Sequence, residues 1–450
     1  MVRSLFMKLF PALLAAACHA AVRITAIDPI FAHYGPTTPG CAAGVAQDGK
    51  TLIAKGYGLA DLDHRLLLTP HSRFYMASVS KHFTAMAALM AEREGKLSLD
   101  DPLSKHIPEM PAYAAGIPLR RLLDHTAGLR DYLLLWGLKG WTNESLLTEG
   151  PTLSLIARQK ALDFEPGSEY SYSNTGYFLM AQVIQRATGQ RLDAFLRDRA
   201  FSPLGMRATR FQHDHSEPVP DRAQGYSQHR AGQWRTASIG FDIAGSGGLY
   251  SNIEDMLVWA RNFEAPKIGG PLFEALMRPG KLNDGRALPR GYALGLEHEV
   301  VDGLTRISHS GGAIGYRTFF LRVPERKLSV VVLCNDGGAD PRALALRVAG
   351  KFVPEIKPEA TANEQPKPLA PLSAQQRAAI AGVYWSEELE SVWRIFERGG
   401  RLYRQNDGGD AEVLKTSDGN FTAAGATIVP REGGFTVSAG RSRGIGFVRR

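Results

Sequence analysis

Strand-forming segments stand at both ends of residues 21–353, and helix-forming segments lie between them. Two short apolar segments near the start are separated by Asp48-Gly49-Lys50, a hairpin turn signature; they are residues 40–47 and 51–58. The strand pattern returns only after Gly291, in residues 291–299, 304–308, 318–323 and 328–334. Segments so far apart predict one mixed sheet of the α+β class rather than repeated βαβ units.

The helical segments between these strands have their own sequence signals. Residues 78–93 are strongly periodic, with Phe83, Met86 and Met90 on one face, and Gly95 marks the end of the helix. Further helices are predicted at residues 118–124, at residues 177–188 before Gly189, and at residues 340–352. The expected architecture is a mixed sheet flanked by helices, with a separate helical cluster.

A change of composition divides the last hundred residues from the rest. Residues 354–371 are rich in Pro, Lys, Glu and Ala, which predicts an extended linker. Residues 382–450 alternate apolar and polar side chains in short runs broken by glycine-rich turns, which predicts that a second domain, residues 372–450, is a small antiparallel β-barrel or sandwich. This second domain carries no nucleophile and base together, so we expect it to be accessory.

The N-terminus has the pattern of an export signal. Arg3 and Lys8 precede an apolar run at residues 9–17, and small residues around Ala20 suit a cleavage site. We therefore expect residues 1–20 to be a signal peptide and the protein to be periplasmic or secreted. Lipid attachment at Cys18 is a less favoured alternative, because Ala15 stands where lipoprotein signals usually have Leu. No later run is long enough to predict a membrane span.

The two remaining cysteines, Cys41 and Cys334, lie in apolar strand-like runs. Two cysteines cannot build a disulfide scaffold, and we expect two buried thiols rather than a bridge.

Several classes of function lack support. The net charge is +8, but the basic residues are scattered without the aromatic interleaving typical of nucleic-acid binding. His213-Asp214-His215 has no third ligand at a recognisable spacing, so we expect no metal. No phosphate-binding glycine loop is present, and we expect no cofactor.

His125, before a turn, is predicted to be structural. The expected partner is a small-molecule or peptide substrate, and the oligomeric state stays open.

The first candidate catalytic pair is Ser78 and Lys81. A serine hydroxyl needs a neighbouring base to act as a nucleophile, and residues three apart on a helix share one face. The apolar helix that follows places Lys81 in the interior, where a lysine is costly unless it is paired or neutral. A buried lysine beside a serine is a candidate base.

Two further motifs lie far along the chain. Tyr172-Ser173-Asn174 precedes a helix; Tyr172 is a candidate base if Lys81 lowers its pKa, and the Asn174 amide offers a donor and an acceptor to a substrate. His309-Ser310-Gly311-Gly312 ends a strand. Its small residues permit close approach of a substrate backbone, the Gly312 N–H is a candidate oxyanion donor, and His309 could orient a substrate or bind its carboxylate.

In this order, Ser-x-x-Lys, Tyr-x-Asn and His-x-Gly resemble the motifs of the serine β-lactamase and penicillin-binding-protein superfamily. The resemblance extends over about residues 40–352 and includes the longer stretches 94–102, 122–129 and 245–251. It is to the branch with class C β-lactamases, D-aminopeptidases, D-alanyl-D-alanine carboxypeptidases and related esterases. It implies a β-lactamase-like fold, and the C-terminal segment looks like the small β-rich extensions of some relatives.

The resemblance also implies a role for each motif residue. Ser78 would be the acylated nucleophile, and Lys81 and Tyr172 would handle its proton. Asn174 would hold the substrate, and the N–H groups of Ser78 and Gly312 would form the oxyanion hole. His309 and Gly311, with Ser310 between them, take the places of the Lys-Thr-Gly triplet of true β-lactamases.

That departure favours an acyl-enzyme hydrolase of D-amino-acid peptides, amides or small esters. Two alternatives remain at this point. One is a β-lactamase proper, and the other is a catalytically weak penicillin-binding protein that senses the cell wall.

Overall fold

The structure, a computed structural model, describes residues 26–142, 145–230, 232–357, 369–417 and 419–450. The predicted signal peptide, Cys18 and most of the predicted linker therefore lie outside the described residues.

Fifteen strands are described between residues 41 and 334. In chain order they are β1 (Cys41–Gln47), β2 (Lys50–Tyr57), β3 (Leu59–Asp61), β4 (Leu66–Leu67), β5 (Phe74–Tyr75), β6 (Leu147–Thr148), β7 (Arg210–Phe211), β8 (Gly225–Arg230), β9 (Gln233–Ala237), β10 (Phe241–Asp242), β11 (Leu249–Ser251), β12 (Glu297–Val301), β13 (Leu304–Ala313), β14 (Tyr316–Val323) and β15 (Leu328–Cys334).

The α-helices lie mostly between β5 and β12. They are α1 (Lys81–Arg93), α2 (Leu103–His106), α3 (Arg120–Leu123), α4 (Tyr132–Lys139), α5 (Glu149–Ala157), α6 (Asn174–Thr188), α7 (Leu192–Leu196), α8 (Ser202–Leu204), α9 (Ile253–Asn262), α10 (Leu272–Met277), α11 (Pro341–Ala349) and α12 (Ala374–Ile380).

The main sheet is assembled from distant segments, as the sequence predicts. Its described strands lie in the order β12-β13-β14-β15-β1-β2, and neighbouring strands are antiparallel. The predicted strand at residues 291–299 is wrong for residues 291–296, because β12 begins only at Glu297. Gly291 and Gly295 adopt φ values of +58° and +77°, which turn the chain before the strand starts.

Helix α1 is the centre of the helical cluster. Every residue from Lys81 to Ala91 is buried, so the helix has no solvent-facing side over that length. The predicted helix start at Ser78 is replaced by a 3₁₀ turn, Ala77–Ser80, which leads directly into α1. Helix α6 begins at Asn174, three residues earlier than predicted, and packs against α1.

The C-terminal segment forms one continuous antiparallel sheet with a core of its own. Its strands are β16 (Leu369–Ala370), β17 (Gly382–Ser386), β18 (Ser391–Arg398), β19 (Arg401–Asn406), β20 (Gly409–Glu412), β21 (Leu414–Thr416), β22 (Phe421–Ala423), β23 (Ala426–Arg431), β24 (Gly434–Ala439) and β25 (Ser442–Arg449). The prediction of antiparallel β structure here is confirmed.

This C-terminal sheet is packed tightly against α4 and α5. Leu135 and Leu138 of α4 belong to the same buried cluster as Trp393 of the sheet, whose indole Nε1 donates to the Leu138 carbonyl over 3.0 Å. Beside this apolar contact, the buried Arg130 side chain is hydrogen-bonded to the buried Glu388 carboxylate. Paired buried charges of this kind are costly to separate, so the packing fixes the position of the sheet.

No helix in the described parts of the chain combines the length and hydropathy needed to cross a membrane.

The prediction of two free buried thiols is wrong. Cys41 and Cys334 are both fully buried, but they form a disulfide between β1 and β15. The two residues stand directly opposite each other in the antiparallel pairing, with their Cα atoms 4.0 Å apart. The register of two strands separated by 293 residues decides this contact, and that register is not visible in the sequence.

We expect the double variant Cys41→Ala/Cys334→Ala to lose about 2–4 kcal/mol of unfolding free energy, because the bridge closes a long loop in the unfolded chain. Denaturant unfolding measures this loss, and a reductant should destabilise the wild type but leave the double variant unchanged. Peptide mapping without reduction should recover the two cysteines in one cross-linked species. Alkylation of both thiols in the unreduced wild type would contradict the bridge.

Candidate active site

Ser78 sits at the second position of the 3₁₀ turn between β5 and α1. The residue before it, Ala77, has a φ of +47°, a left-handed conformation that costs a non-glycine residue about 1–3 kcal/mol. Such a local cost is typical of functional sites, where the surrounding structure enforces it. Ser78 is partly exposed and lines a small cleft of about 40 Å³ that Asn174 and Gly312 also line.

Lys81 is fully buried next to Ser78. Its Nζ lies 3.1 Å from Ser78 Oγ, 2.9 Å from Asn174 Oδ1 and 2.8 Å from the Ser246 carbonyl oxygen. Burial lowers the pKa of this amine well below its usual value; the Asp131 carboxylate opposes that effect, and the Arg441 guanidinium adds to it. The structure therefore favours a neutral amine, as a buried candidate base requires.

Tyr172 lies beside this amine, with Lys81 Nζ 4.9 Å from the centre of its ring. The sequence-based expectation that a cation lowers the pKa of this phenol is not met. Burial raises the pKa of Tyr172, and this effect outweighs the opposing hydrogen bond with Ser78 and the positive charge of Arg441. Tyr172 is therefore a neutral phenol. Of the two groups, only Lys81 has its pKa shifted in the direction that favours a proton acceptor, because a lowered pKa leaves the amine unprotonated.

Asn174 is held rigidly at the first turn of α6. Its backbone N–H and its side-chain amide both donate to Asp131 Oδ2, over 2.8 and 2.9 Å. Asp131 is itself the N-cap of α4 and accepts from the backbone of Leu133 over 2.9 Å. Because the amide nitrogen of Asn174 is occupied by Asp131, its oxygen is directed to Lys81.

Strand β13 forms the opposite wall of the cleft. Ser310 and Gly312 face outward, whereas His309 and Gly311 are buried. Gly311 is packed so closely that a Cβ there would lie 2.2 Å from Thr318 Oγ1 and 2.4 Å from the Met76 carbonyl oxygen. The absence of a side chain at Gly311 thus lets β13 approach the turn that carries Ser78.

His309 belongs to a buried hydrogen-bonded chain rather than to a charged pocket. Its Nδ1 lies 2.6 Å from the Ser310 carbonyl oxygen, and its Nε2 lies 3.3 Å from the Tyr292 hydroxyl. The same hydroxyl lies 2.9 Å from Nε2 of His125, whose Nδ1 accepts from the Ser173 N–H. His125 thus has partners on both nitrogens, as expected of a structural histidine.

Burial lowers the pKa of His309 to about 3. The imidazole is therefore uncharged near neutral pH, and the expected roles of His309 in orienting a substrate or binding its carboxylate stay predictions. Its ring nitrogens are hydrogen-bonded to Ser310 and Tyr292.

The structure adds four residues that the sequence analysis did not single out. Ser246 supplies the carbonyl acceptor to Lys81, and its hydroxyl lies 2.8 Å from that of the buried Tyr132. Asp131 holds Asn174, and Arg441 from the C-terminal sheet lies over the Tyr172 ring, 4.9 Å from its centre. The contact of Arg441 differs from the expectation that the C-terminal segment is only accessory.

The two histidines of His213-Asp214-His215 face different neighbours. His213 lies 3.3 Å from Glu149 and 3.1 Å from Asp193, whereas His215 lies 2.9 Å from Asp242. The two rings therefore do not converge on one point.

Replacing Gly311 by alanine should destabilise the protein by about 1–3 kcal/mol, because the added methyl meets backbone and a side chain that cannot withdraw. Gly312→Ala is the matched control; a Cβ there meets no atom closer than 3.8 Å. Denaturant unfolding of both variants tests the packing. Equal stability of the two variants would contradict it.

Comparisons with known proteins agree with this geometry. The family model described as Beta-lactamase matches residues 27–351, well over half of the chain. A D-aminopeptidase of Brucella ovis is 27% identical over 403 residues, covering 88% of this chain and 73% of the relative. A D-aminopeptidase of Cereibacter sphaeroides is 29% identical over 402 residues, with coverages of 89% and 73%.

The fold also has solved counterparts. The octameric penicillin-binding protein homologue from Pyrococcus abyssi aligns with a TM-score of 0.63 at 23% identity, covering 91% of this chain and 96% of that one. The match to the family model, together with the likeness of fold, shows that the chain belongs to the beta-lactamase family, within the superfamily of serine hydrolases that also includes the penicillin-binding proteins.

Proposed function

We propose that this chain hydrolyses amide bonds of D-amino-acid peptides and amides through an acyl-enzyme on Ser78. The observation that carries the proposal is the position of the Lys81 amine. Two of its three polar neighbours are carbonyl oxygens, of Asn174 and Ser246, which can only accept hydrogen bonds. A neutral amine has two N–H donors, which these oxygens take, and its lone pair is then left for the Ser78 hydroxyl.

Acylation follows from this arrangement. Ser78 Oγ attacks the substrate carbonyl carbon while its proton passes to Lys81 Nζ. The negative charge on the carbonyl oxygen is stabilised by the N–H groups of Ser78 and Gly312, which line the same cleft. As the C–N bond breaks, the Tyr172 phenol gives its proton to the leaving amine and regains one from Lys81.

Deacylation uses the same groups in reverse. A water molecule attacks the ester carbon and gives a proton to Lys81, and that proton returns to Ser78 Oγ as the acid departs. Asn174, fixed by Asp131, remains next to the amine and can orient the substrate amide. Each proton removed is restored within the cycle, so the site needs no metal or organic cofactor for this reaction.

The substrate class is inferred from the relatives and from the motif on β13. Curated proteins that match most of this chain are named D-aminopeptidases. The neutral His309 also stands where true β-lactamases have a lysine, which favours amide substrates over β-lactams. Esters share the same acyl chemistry and are the natural comparison in a test.

We further propose that the protein is exported to the periplasm or the medium. Residues 1–20 carry the pattern of a signal peptide. The Cys41–Cys334 disulfide supports the proposal, because such bonds persist in oxidising compartments.

A panel of D- and L-aminoacyl p-nitroanilides, p-nitrophenyl esters and a chromogenic cephalosporin tests the substrate class. We expect the largest kcat/KM for D-aminoacyl anilides and at least about a 10³-fold loss in Ser78→Ala, because the nucleophile is removed. Equal rates for D- and L-substrates, or a preference for the cephalosporin, would contradict the D-amide assignment. A permanent adduct with a fluorescent penicillin and no turnover of any substrate would favour a sensor.

Replacing Lys81 by methionine keeps an unbranched buried side chain but removes the base. We expect kcat to fall at least about 100-fold, the range that general-base catalysis contributes, while circular dichroism shows a folded protein. In the wild type, kcat/KM should fall as the pH decreases through the lowered pKa of Lys81, because the protonated amine cannot accept the Ser78 proton. An active, folded Lys81→Met variant would refute the role of Lys81 as base.

A further inference from the structure

The turn between β24 and β25 brings the C-terminal sheet to the predicted catalytic residues. The Ser442 hydroxyl accepts the backbone N–H of Asp131 over 3.0 Å, and the Arg443 backbone N–H donates to Asp163 over 2.8 Å. The Arg443 side chain is paired with Glu169 over 3.0 Å. These bonds fix the chain immediately after Arg441.

Arg441 makes two contacts inside the site. Its guanidinium Nη2 lies 3.2 Å from Asp131 Oδ2, and its Cζ lies 4.9 Å from the centre of the Tyr172 ring. Asp131 is almost fully buried, so its negative charge needs a compensating cation or several hydrogen bonds. The same Oδ2 also holds Asn174, which connects Arg441 to the residue that contacts Lys81.

We propose that Arg441 is a positioning residue of the acylation site: its guanidinium fixes Asp131 and the Tyr172 ring and adds a positive charge near Lys81, so that the C-terminal sheet completes the hydrolase. This inference rests on the proposed function. It predicts that a single side chain of the C-terminal sheet controls the reactivity of Ser78.

The charges around Lys81 decide in which direction the loss of Arg441 shifts the pKa of the Lys81 amine. The groups that face this amine are Asp131, Tyr172, Tyr177, His125, His309 and Arg441. Burial raises the pKa of both phenols and lowers the pKa of both histidines, so these four are neutral. Asp131 raises the pKa of Lys81 and Arg441 lowers it. Removal of the guanidinium should therefore favour the protonated, unreactive amine.

The test is the pH dependence of Ser78 acylation by a fluorophosphonate probe in the full-length wild type, Arg441→Gln, Arg441→Lys and Arg443→Gln. This readout does not depend on the natural substrate. We expect Arg441→Gln to slow acylation about tenfold at neutral pH. We also expect the acidic limb of the pH profile, where the acylation rate falls as the pH decreases, to move about 0.5–1 pH unit higher. Arg441→Lys keeps the charge and should retain the wild-type limb.

Arg443→Gln is the matched control, because it removes the same charge from the same hairpin at a side chain that pairs with Glu169 rather than with Asp131 or Tyr172. Its acidic limb should coincide with that of the wild type. An unmoved limb in Arg441→Gln, or equal effects of the two Gln variants, would overturn the inference while leaving the proposed function intact. If Arg441→Gln does not fold, Arg441→Met, which keeps a long apolar stem, takes its place with the same expected outcome.

Wild-type protein that does not label at Ser78 at any pH would instead overturn the proposed function, and this inference with it. The two failures are therefore distinguishable in one experiment.

Discussion

The burial of one lysine amine is the constraint on which the site depends. Lys81 has no solvent-exposed surface, and a bare ammonium in such a place would be strongly unfavourable. The surroundings favour the neutral form, and the carbonyl oxygens of Asn174 and Ser246 fix the direction of its two hydrogens. In the proposed mechanism the lone pair is thereby left for Ser78. The same burial that makes Lys81 costly to place in the fold lowers its pKa, as its proposed role as base requires.

The buried carboxylate of Asp131 needs several hydrogen-bonding partners, and these partners connect the elements of the site. Its carboxylate caps α4, holds the backbone and side chain of Asn174 at the start of α6, and contacts Arg441 of the C-terminal sheet. Three elements that are distant in sequence thus meet at one buried group. Asp131 is buried whereas Arg441 is partly exposed, so loss of these partners leaves a buried carboxylate poorly compensated and couples the contacts to the stability of the fold as well as to the geometry of the site.

The sequence predicted what local spacing determines. Ser78 and Lys81 are three residues apart, and the hairpin around Gly49 carries a short-range turn signal, so both features were located correctly, although the helix begins only at Lys81 and the strand predicted at residues 304–308 extends to Ala313. The disulfide, Asp131 and Arg441 depend on strand register and on the docking of the C-terminal sheet, which no short pattern encodes. The direction of the Tyr172 pKa was mistaken for a related reason. A nearby cation was visible in the motif, whereas the burial that outweighs it was not.

The order of the contacts along the chain has a consequence for how the site forms. Strand β1 pairs with β15, so the main sheet cannot be completed until residues near Cys334 are available. Arg441 lies in the turn between β24 and β25, more than 300 residues after Asp131 in the chain. Contacts of such long range are slow to form because the chain between them must first be ordered. Ser78 and Lys81 are only three residues apart in the chain, whereas Asp131 and Arg441 come together only when the C-terminal sheet docks.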